Sequence, residues 1–499
     1  MASPVTPDAA LADLQATALT ARCHNVFFRQ KQLKSLHDAL RKNVSSIKDA
    51  IKQDTRTSDA EATTEIALAL DIVKEHHTSL NSKKELEEEY RITNKKNASD
   101  RREPWGVVYI EPQQNHTPLF SVVVAVSAAL AAGNCVALKL ENNLRALPSL
   151  LRKLLPEAIE ADTFSIVSSA PSSESISQCL QVLQETQVPV PTYSQLVSPA
   201  GKTIAVVDRT ADLATAAEQL VASRFAFGGT SPYAPDLVLV NEFIKKDFLE
   251  LALKQSIRYL SGSDDVAANG STKSSQKPAS RVADAFKTLQ DSKSWKLRVI
   301  TQGDNGAVVE LANLSSLPPK VTQPLFCISA ITSLEHAISL VDEDLEPSQT
   351  LSAAYHFGTP ASGKYLSQFI NADASFINHV PYRLLLGPAT PSFQHIDIEA
   401  RYTPLHFTRA SPAYISPSST QTAMEKAVAG KETRKAAADL LAKASQEIKE
   451  NKRAESIAIG YFEQGIFIGL GVYGIPLLSC IGATLFFGIR AGLRRWVFA

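Results

Sequence analysis

Glycine is scarce in this chain: 21 of 499 residues, about 4% against a usual ~7%. None falls between Gly133 and Gly201, so a backbone that must approach a phosphate closely has no permissive residue there. The five cysteines (Cys23, Cys135, Cys179, Cys327, Cys480) show no CxxC or other metal-ligand spacing. That excludes zinc-ribbon architectures, predicts no metal, and fits free thiols in a reducing compartment. An excess of basic charge is also missing, since Lys+Arg and Asp+Glu are both 51; nucleic acid is thereby excluded as a main partner. Residues 1–25 hold no basic segment followed by an apolar core, so no secretory signal is expected.

What is present begins with the tail. Residues 465–489 carry no charge, and about 20 apolar residues suffice to cross the ~30 Å hydrocarbon layer. Pro476 lies mid-segment, a residue that membrane helices tolerate. Tyr461, Phe462 and Trp496 flank the run, and Arg490, Arg494 and Arg495 follow it. A single-pass C-terminal anchor is predicted, with the body cytosolic and the endoplasmic reticulum as the expected membrane. Residues 424–455 are charged and alanine-rich and read as one solvated helical spacer.

The body is ordinary in composition, 44% apolar and 20% charged, and its length predicts two or three domains. Leu33, Leu36, Leu40, Val44, Ile47 and Ile51 recur every three or four positions, one helical stripe. Leu68, Leu70, Ile72 and Val73 belong to a second helix. Strands are then expected at 105–111, 134–140 and 164–167, with helices at 119–132 and 144–155. A second series follows: strand 203–208, helix 211–226, strand 237–240, helix 243–259, a polar loop at 261–281, then strand 326–330, helix 334–341 and strand 351–357. Buried strands alternating with helices predict an α/β fold with parallel sheets. Residues 386–417 are irregular and proline-rich, and no internal repeat is evident.

Glu103-Pro104-Trp105-Gly106-Val107-Val108, then Ala131-Ala132-Gly133-Asn134-Cys135-Val136-Ala137-Leu138-Lys139, and later Ala234-Pro235-Asp236-Leu237, resemble the aldehyde dehydrogenase superfamily over residues 20–415. The class-3, fatty-aldehyde branch is the most similar, and its members also end in a hydrophobic anchor. The resemblance implies two parallel-sheet α/β domains, a small bridging element used for dimerisation, and a C-terminal transmembrane helix. It divides the chain into N-terminal helices with a degenerate dinucleotide-binding-like domain (1–196), a catalytic-like domain (197–385), a bridging segment (386–423), the spacer (424–455) and the anchor (465–489).

The family's reaction needs a cysteine nucleophile, a glutamate base, an asparagine at the oxyanion and a glycine-rich dinucleotide turn. Aligned on Ala-Pro-Asp, the cysteine position is Pro232, which offers neither nucleophile nor N–H. In the motif E-L-G-G-K, Ser198 stands at the glutamate. In W-N-Y-P, His116 stands at the asparagine, or Asn115 after a one-residue shift; as an isolated residue, His116 reads as a loop histidine. Thr230 and Ser231 are hydroxyls with no evident base in the sequence. The turn G-x-T-x-x-G is absent, and residues 180–202 run straight to the next motif. In E-x-F-G-P only Pro324 survives, with Lys320 at the glutamate. Lys139 and Asn378 remain, Lys139 from a motif that touches the adenosine ribose. Cys327 is the one other thiol in the catalytic-like half.

These replacements predict a membrane-anchored pseudoenzyme with no cofactor. It would bind a hydrophobic ligand, or pair as a homodimer or as a heterodimer with an active homologue. The alternative is NAD(P)-dependent oxidation of long-chain or pathway-specific aldehydes to carboxylic acids.

Overall fold

The computed structural model describes residues 6–261, 286–346 apart from 288 and 291, 349–449 and 461–497. Most of the polar loop expected at 261–281 lies outside them. The chain forms two compact units, Met1–Ser416 and Pro417–Ala499.

In the first unit a helical layer precedes the sheets. Helices Pro7–Ala18, Val26–Lys42 and Asp59–Ser79 each start on a side-chain cap, from Thr6, Asn25 and Ser58. Ser58 and Glu61 complete a reciprocal capping box, which satisfies two orphan N–H groups. The expected single apolar stripe is split between Val26–Lys42 and Val44–Thr55. Asn43 leaves helical geometry (φ −110°, ψ 19°) and its side chain donates to the Ala39 carbonyl. Asparagine competes with the backbone in this way and so ends helices. Leu33, Leu36, Leu40, Ile47 and Ile51 are nevertheless all buried.

The strands are β1 (Arg102–Pro104), β2 (Val107–Glu111), β3 (Cys135–Lys139), β4 (Phe164–Val167), β5 (Leu180–Leu183), β6 (Gln195–Val197), β7 (Thr203–Val207), β8 (Leu237–Asn241), β9 (Lys296–Gln302), β10 (Ala307–Ala312), β11 (Leu325–Ile331), β12 (Ala353–Phe357), β13 (Ser375–Ile377) and β14 (Thr408–Ala410). One sheet, order β4-β3-β2-β5-β6, is wholly parallel. The other, order β13-β12-β7-β8-β11-β10-β9, is parallel except for β9 against β10. A separate antiparallel ribbon joins β1 to β14. Helix Pro118–Ala131 is buried at every position, which is why its sequence is apolar all round although it is too short to span a bilayer. β5, β6, β9, β10 and β13 were not expected from the sequence. The first two are short and carry glutamines, and β9 is exposed or half-buried throughout, so none of these three gives a strong apolar run.

In the second unit the spacer is two helices, Ser419–Ala429 and Thr433–Ala444, broken at Gly430. Glycine lacks the Cβ that limits backbone freedom and is a poor interior helix residue. The stretch Glu463–Leu493 is 31 residues of mean hydropathy 2.0 with none of that apolar window buried. Among the described residues it is the one helix long and apolar enough to cross a membrane. A wide π turn at Leu470–Gly474 sits just before Pro476; proline supplies no N–H and crowds the carbonyl four residues back, and a widened turn accommodates both.

Candidate functional site

Helix Leu213–Phe225 runs into a turn that carries the chain to β8. Phe227, Gly228 and Gly229 all have positive φ (52°, 68° and 70°). A Cβ on Gly229 would lie 2.8 Å from the Gln323 carbonyl carbon, so the turn is pressed against residues 323–324. Buried charges hold it there. Arg224, with no exposed side-chain area, donates to the carbonyls of Gly229 (2.8 Å), Val321 (2.7 Å) and Gln323. The Asp236 carboxylate accepts from Thr203 N (2.8 Å), Val321 N (2.9 Å) and Lys320 Nζ (3.0 Å), with Arg224 Nη1 at 3.6 Å. Burial pushes the pKa of Arg224 and of Lys320 down, and Asp236 opposes it in each.

Pro232 sits half-buried at the end of this turn. Its carbonyl accepts from Lys320 Nζ at 2.6 Å and from Thr203 Oγ1 at 3.2 Å. The neighbouring amides turn inward, Tyr233 N to Ser231 Oγ and Ala234 N to the Ser231 carbonyl.

His116 is a loop histidine as expected, in the bend before helix Pro118–Ala131, but it is buried and both ring nitrogens are bonded. Its Nε2 lies 2.8 Å from the Leu385 carbonyl, which only accepts, so Nε2 carries the proton. Nδ1 is then the acceptor facing Thr230 Oγ1 at 2.9 Å. The base that the sequence did not reveal for Thr230 is therefore beside it. Two features weaken it. Burial pulls the His116 pKa down to about 4, and the Thr230 hydroxyl proton is shared with the Phe227 carbonyl at 2.8 Å.

Ser198 belongs to a different contact set. Its buried hydroxyl donates to the Ala389 carbonyl (2.8 Å) and lies 3.4 Å from Tyr402 Oη. Asn115 is exposed and accepts from Arg145 Nη2 at 2.8 Å, so it does not join the turn around Pro232. Cys327 is 1% exposed and its thiol is pushed up to about 12 by burial, which leaves it protonated. Residues 384–402 complete the enclosure. Arg401 donates to Thr390 Oγ1 and to the Leu384 and Leu386 carbonyls, and its guanidinium lies 4.9 Å from the Tyr233 ring centroid. Neither Arg401 nor Lys320 carried a sequence signal for these roles, because their partners are distant along the chain.

The first sheet reverses its direction of growth at β2, which pairs β3 on one side and β5 on the other. In open α/β sheets the crevice at the carboxyl ends there is the usual ligand site. Here Lys139 Nζ lies 3.4 Å from Glu111 Oε2, and Glu111 also accepts from Thr186. Side chains span the gap: Gln184 Nε2 donates to the Ser121 carbonyl (3.0 Å), Gln113 N to Gln184 Oε1 (3.1 Å), and Gln113 Nε2 to Ser121 Oγ (3.0 Å). The connection from β4 to β5 contains a helix of five residues, Ser173–Ser177. A cavity of about 20 Å³ lies nearby among Pro118, Val122, Leu140 and Arg145, room for about one water. A larger one, about 420 Å³, opens beside Lys34 and Glu157. Neither cavity is lined by Pro232, Ser198 or His116. Among the described residues no three His, Cys, Asp or Glu side chains group as metal ligands.

Glu65 is a further buried carboxyl. Oε1 accepts from Leu119 N (2.8 Å) and Phe120 N (3.1 Å), at the start of the helix that follows His116. Burial raises its pKa from 4.5 to about 7. The native state thus holds a proton that the unfolded chain has released between those values, so this group's stabilising term falls as pH rises from about 4.5 to 7. Glu65→Gln keeps an acceptor oxygen and should flatten that slope, raising stability by about 3 kcal/mol relative to the parent at pH 8 compared with pH 4.5. Urea titrations at the two pH values measure it; parallel curves for parent and variant would contradict it.

A model of the Aldehyde dehydrogenase family matches residues 5–187. The 4,4'-diaponeurosporen-aldehyde dehydrogenase of Staphylococcus aureus is 26% identical over 280 residues, 50% of this chain and 58% of that protein. Aldehyde dehydrogenase family 3 member B1 of Rattus norvegicus is 24% identical over 367 residues, 68% of this chain and 76% of its own. Among solved structures, the substrate-bound state of Staphylococcus aureus AldH superposes with TM-score 0.63 at 18% identity, covering 82% of this chain and 94% of that one. The NADP complex of an NADP-dependent glyceraldehyde-3-phosphate dehydrogenase from Bacillus halodurans gives 0.61 at 17%, covering 82% and 90%. The fold is thus that of the aldehyde dehydrogenases, with two parallel sheets and a long apolar C-terminal helix. Residues 5–187 thus match the aldehyde dehydrogenase family, and class-3 members are among the chain's relatives.

Proposed function

We propose that this protein is a membrane-held aldehyde dehydrogenase homologue that no longer carries out the dehydrogenase reaction. It acts by binding a hydrophobic ligand, or by pairing with a second copy or an active homologue. The carrying observation is at residue 232: the position aligned with the nucleophile is a proline whose carbonyl is held by Lys320 at 2.6 Å. Ser198 and His116, aligned with the base and the oxyanion asparagine, spend their polar atoms on Ala389, Leu385 and Thr230.

The residues at the sheet crevice do not fit a dinucleotide. Gln113 and Gln184 are bonded across it, and Lys139 is engaged with Glu111. No glycine lies between Gly133 and Gly201 to let phosphates approach the backbone. The domain limits follow the family resemblance, with residues 1–196 and 197–385 as the two α/β halves. The apolar helix supports a tail anchor, the body lying in the cytosol and the endoplasmic reticulum as host membrane.

The second reading, NAD(P)-dependent oxidation of long-chain aldehydes, is favoured by the activities in the relatives' names. Titrating the full chain in detergent with NAD and NADP, then adding dodecanal, separates the two. We expect no saturable binding and no dinucleotide reduction, in the parent and also in Pro232→Cys/Ser198→Glu. Micromolar binding with turnover in the parent would overturn the proposal; turnover in the double variant alone would overturn the reading of the crevice.

A further inference from the structure

Two thiols meet inside the first unit although 112 residues separate them. Cys23 lies in the turn Arg22–His24, between helices Pro7–Ala18 and Val26–Lys42. Cys135 opens β3. Their sulfurs are 3.6 Å apart, with Cys23 5% exposed and Cys135 fully buried. A disulfide needs ~2.05 Å, so the gap closes by a small rotation of one side chain together with a shift of the turn.

The two thiols stand in different surroundings. Arg22, beside Cys23, is half-exposed and ion-paired with Glu160 and Asp162, and its guanidinium lies over the Phe28 ring. Nearby Leu19 is 89% exposed. Residues 19–22 and 24–25 are exposed, so the turn is at the surface. Contact with Cys135 is the main influence lowering the Cys23 pKa and Arg22 adds to it, while burial, Asp162 and Glu160 oppose. Cys135 is shifted up by the same contact and by burial. A thiolate is the form that reacts, and Cys23 lies in the surface turn while Cys135 is fully enclosed, so Cys23 is the attacking sulfur and Cys135 the resolving one. Cys179 and Cys327 are buried with raised pKa values, and no thiol contact joins them to another cysteine among the described residues.

We propose that Cys23 and Cys135 form a hydroperoxide-oxidised dithiol, a covalent modification site that staples the N-terminal helices to the first sheet. The Cys23 thiolate attacks the peroxide oxygen, the O–O bond breaks, and the alcohol or water leaves with a proton from solvent. Cys23 is then a sulfenic acid. Cys135 attacks that sulfur, the S–O bond breaks, and the hydroxyl leaves as water with the Cys135 proton. In sum two thiols and one hydroperoxide give one disulfide, one alcohol (or water) and one water, the thiols losing two electrons and the O–O bond taking them. A small-molecule dithiol reverses it by exchange.

The test uses the reduced full chain in detergent, treated with hydrogen peroxide, blocked with N-ethylmaleimide, digested and read by mass spectrometry. The expected product is a cross-linked peptide pair containing Cys23 and Cys135, lighter by two hydrogens than the reduced peptides and restored by dithiothreitol. It should form about tenfold faster than any oxidation of Cys179 or Cys327. Because the bond closes a loop of more than a hundred residues, oxidised protein should melt about 5 °C higher. In Cys135→Ser, Cys23 should halt as a sulfenic acid that dimedone traps. Equal maleimide labelling of both residues with and without peroxide would overturn the proposal, as would Cys23 passing to sulfinic acid in the parent without a cross-link. The parent measurement decides even where Cys135→Ser folds poorly.

Discussion

Asp236→Ala is expected to lower the stability of this protein by about 3–5 kcal/mol, the range seen when one partner of a buried ion pair is removed. The carboxylate is 1% exposed and serves four groups at once: the amides of Thr203 and Val321, the Lys320 ammonium and the Arg224 guanidinium. Alanine leaves two cations enclosed without a counter-charge and two amides without an acceptor. Asp236→Asn should cost less, because one oxygen remains for an amide. Pairing Asp236→Ala with Arg224→Met should recover part of the loss, since the second change removes a stranded charge. Urea titrations of the full chain in detergent supply the four values. A loss below about 1 kcal/mol for Asp236→Ala would mean that the turn does not depend on this cluster.

The second large effect concerns the apolar helix. Leu478→Arg with Leu485→Arg should move the protein from the alkaline-carbonate-resistant membrane fraction to the soluble or peripheral one. Both residues are about two-thirds exposed in the second unit, and each arginine near a spanning-helix centre costs roughly 3 kcal/mol on insertion scales. Leu478→Phe with Leu485→Phe should leave the distribution unchanged. Continued resistance of the arginine variant to extraction would remove the case for a spanning segment.

Strong apolar runs made most of the body legible. β4 coincides with its predicted limits, and helix Pro118–Ala131 differs from expectation by one residue at each end. The turn carrying Pro232 was found because Ala234, Pro235 and Asp236 mark it. The rest failed for physical reasons. β5 and β6 are too short for period-two alternation to register, and β9 follows a polar stretch that masks it. The stripe across Asn43 kept its spacing through a helix break, so periodicity alone could not reveal the break. His116 became a buried partner of Thr230 only through folding that brings residues 114 positions apart together. Lys320 was legible as a substitution but not as a contact, because no local pattern encodes where a four-carbon side chain reaches. The meeting of Cys23 and Cys135 was equally invisible, since cysteine spacing signals metal sites and not packing.

A lysine that holds the main-chain carbonyl of residue 232 and a buried aspartate at once ties the turn's backbone to one ion pair. A cysteine at residue 232 would present the same carbonyl, so Lys320 would stay beside it. Replacing Lys320 by a neutral residue would strip a cation from Asp236. Gln113 and Gln184 make the same kind of distant tie over β2, between residues 71 positions apart. The side-chain coupling is between Asp236 and Lys320, so related chains that keep this turn are expected to keep those two residues together.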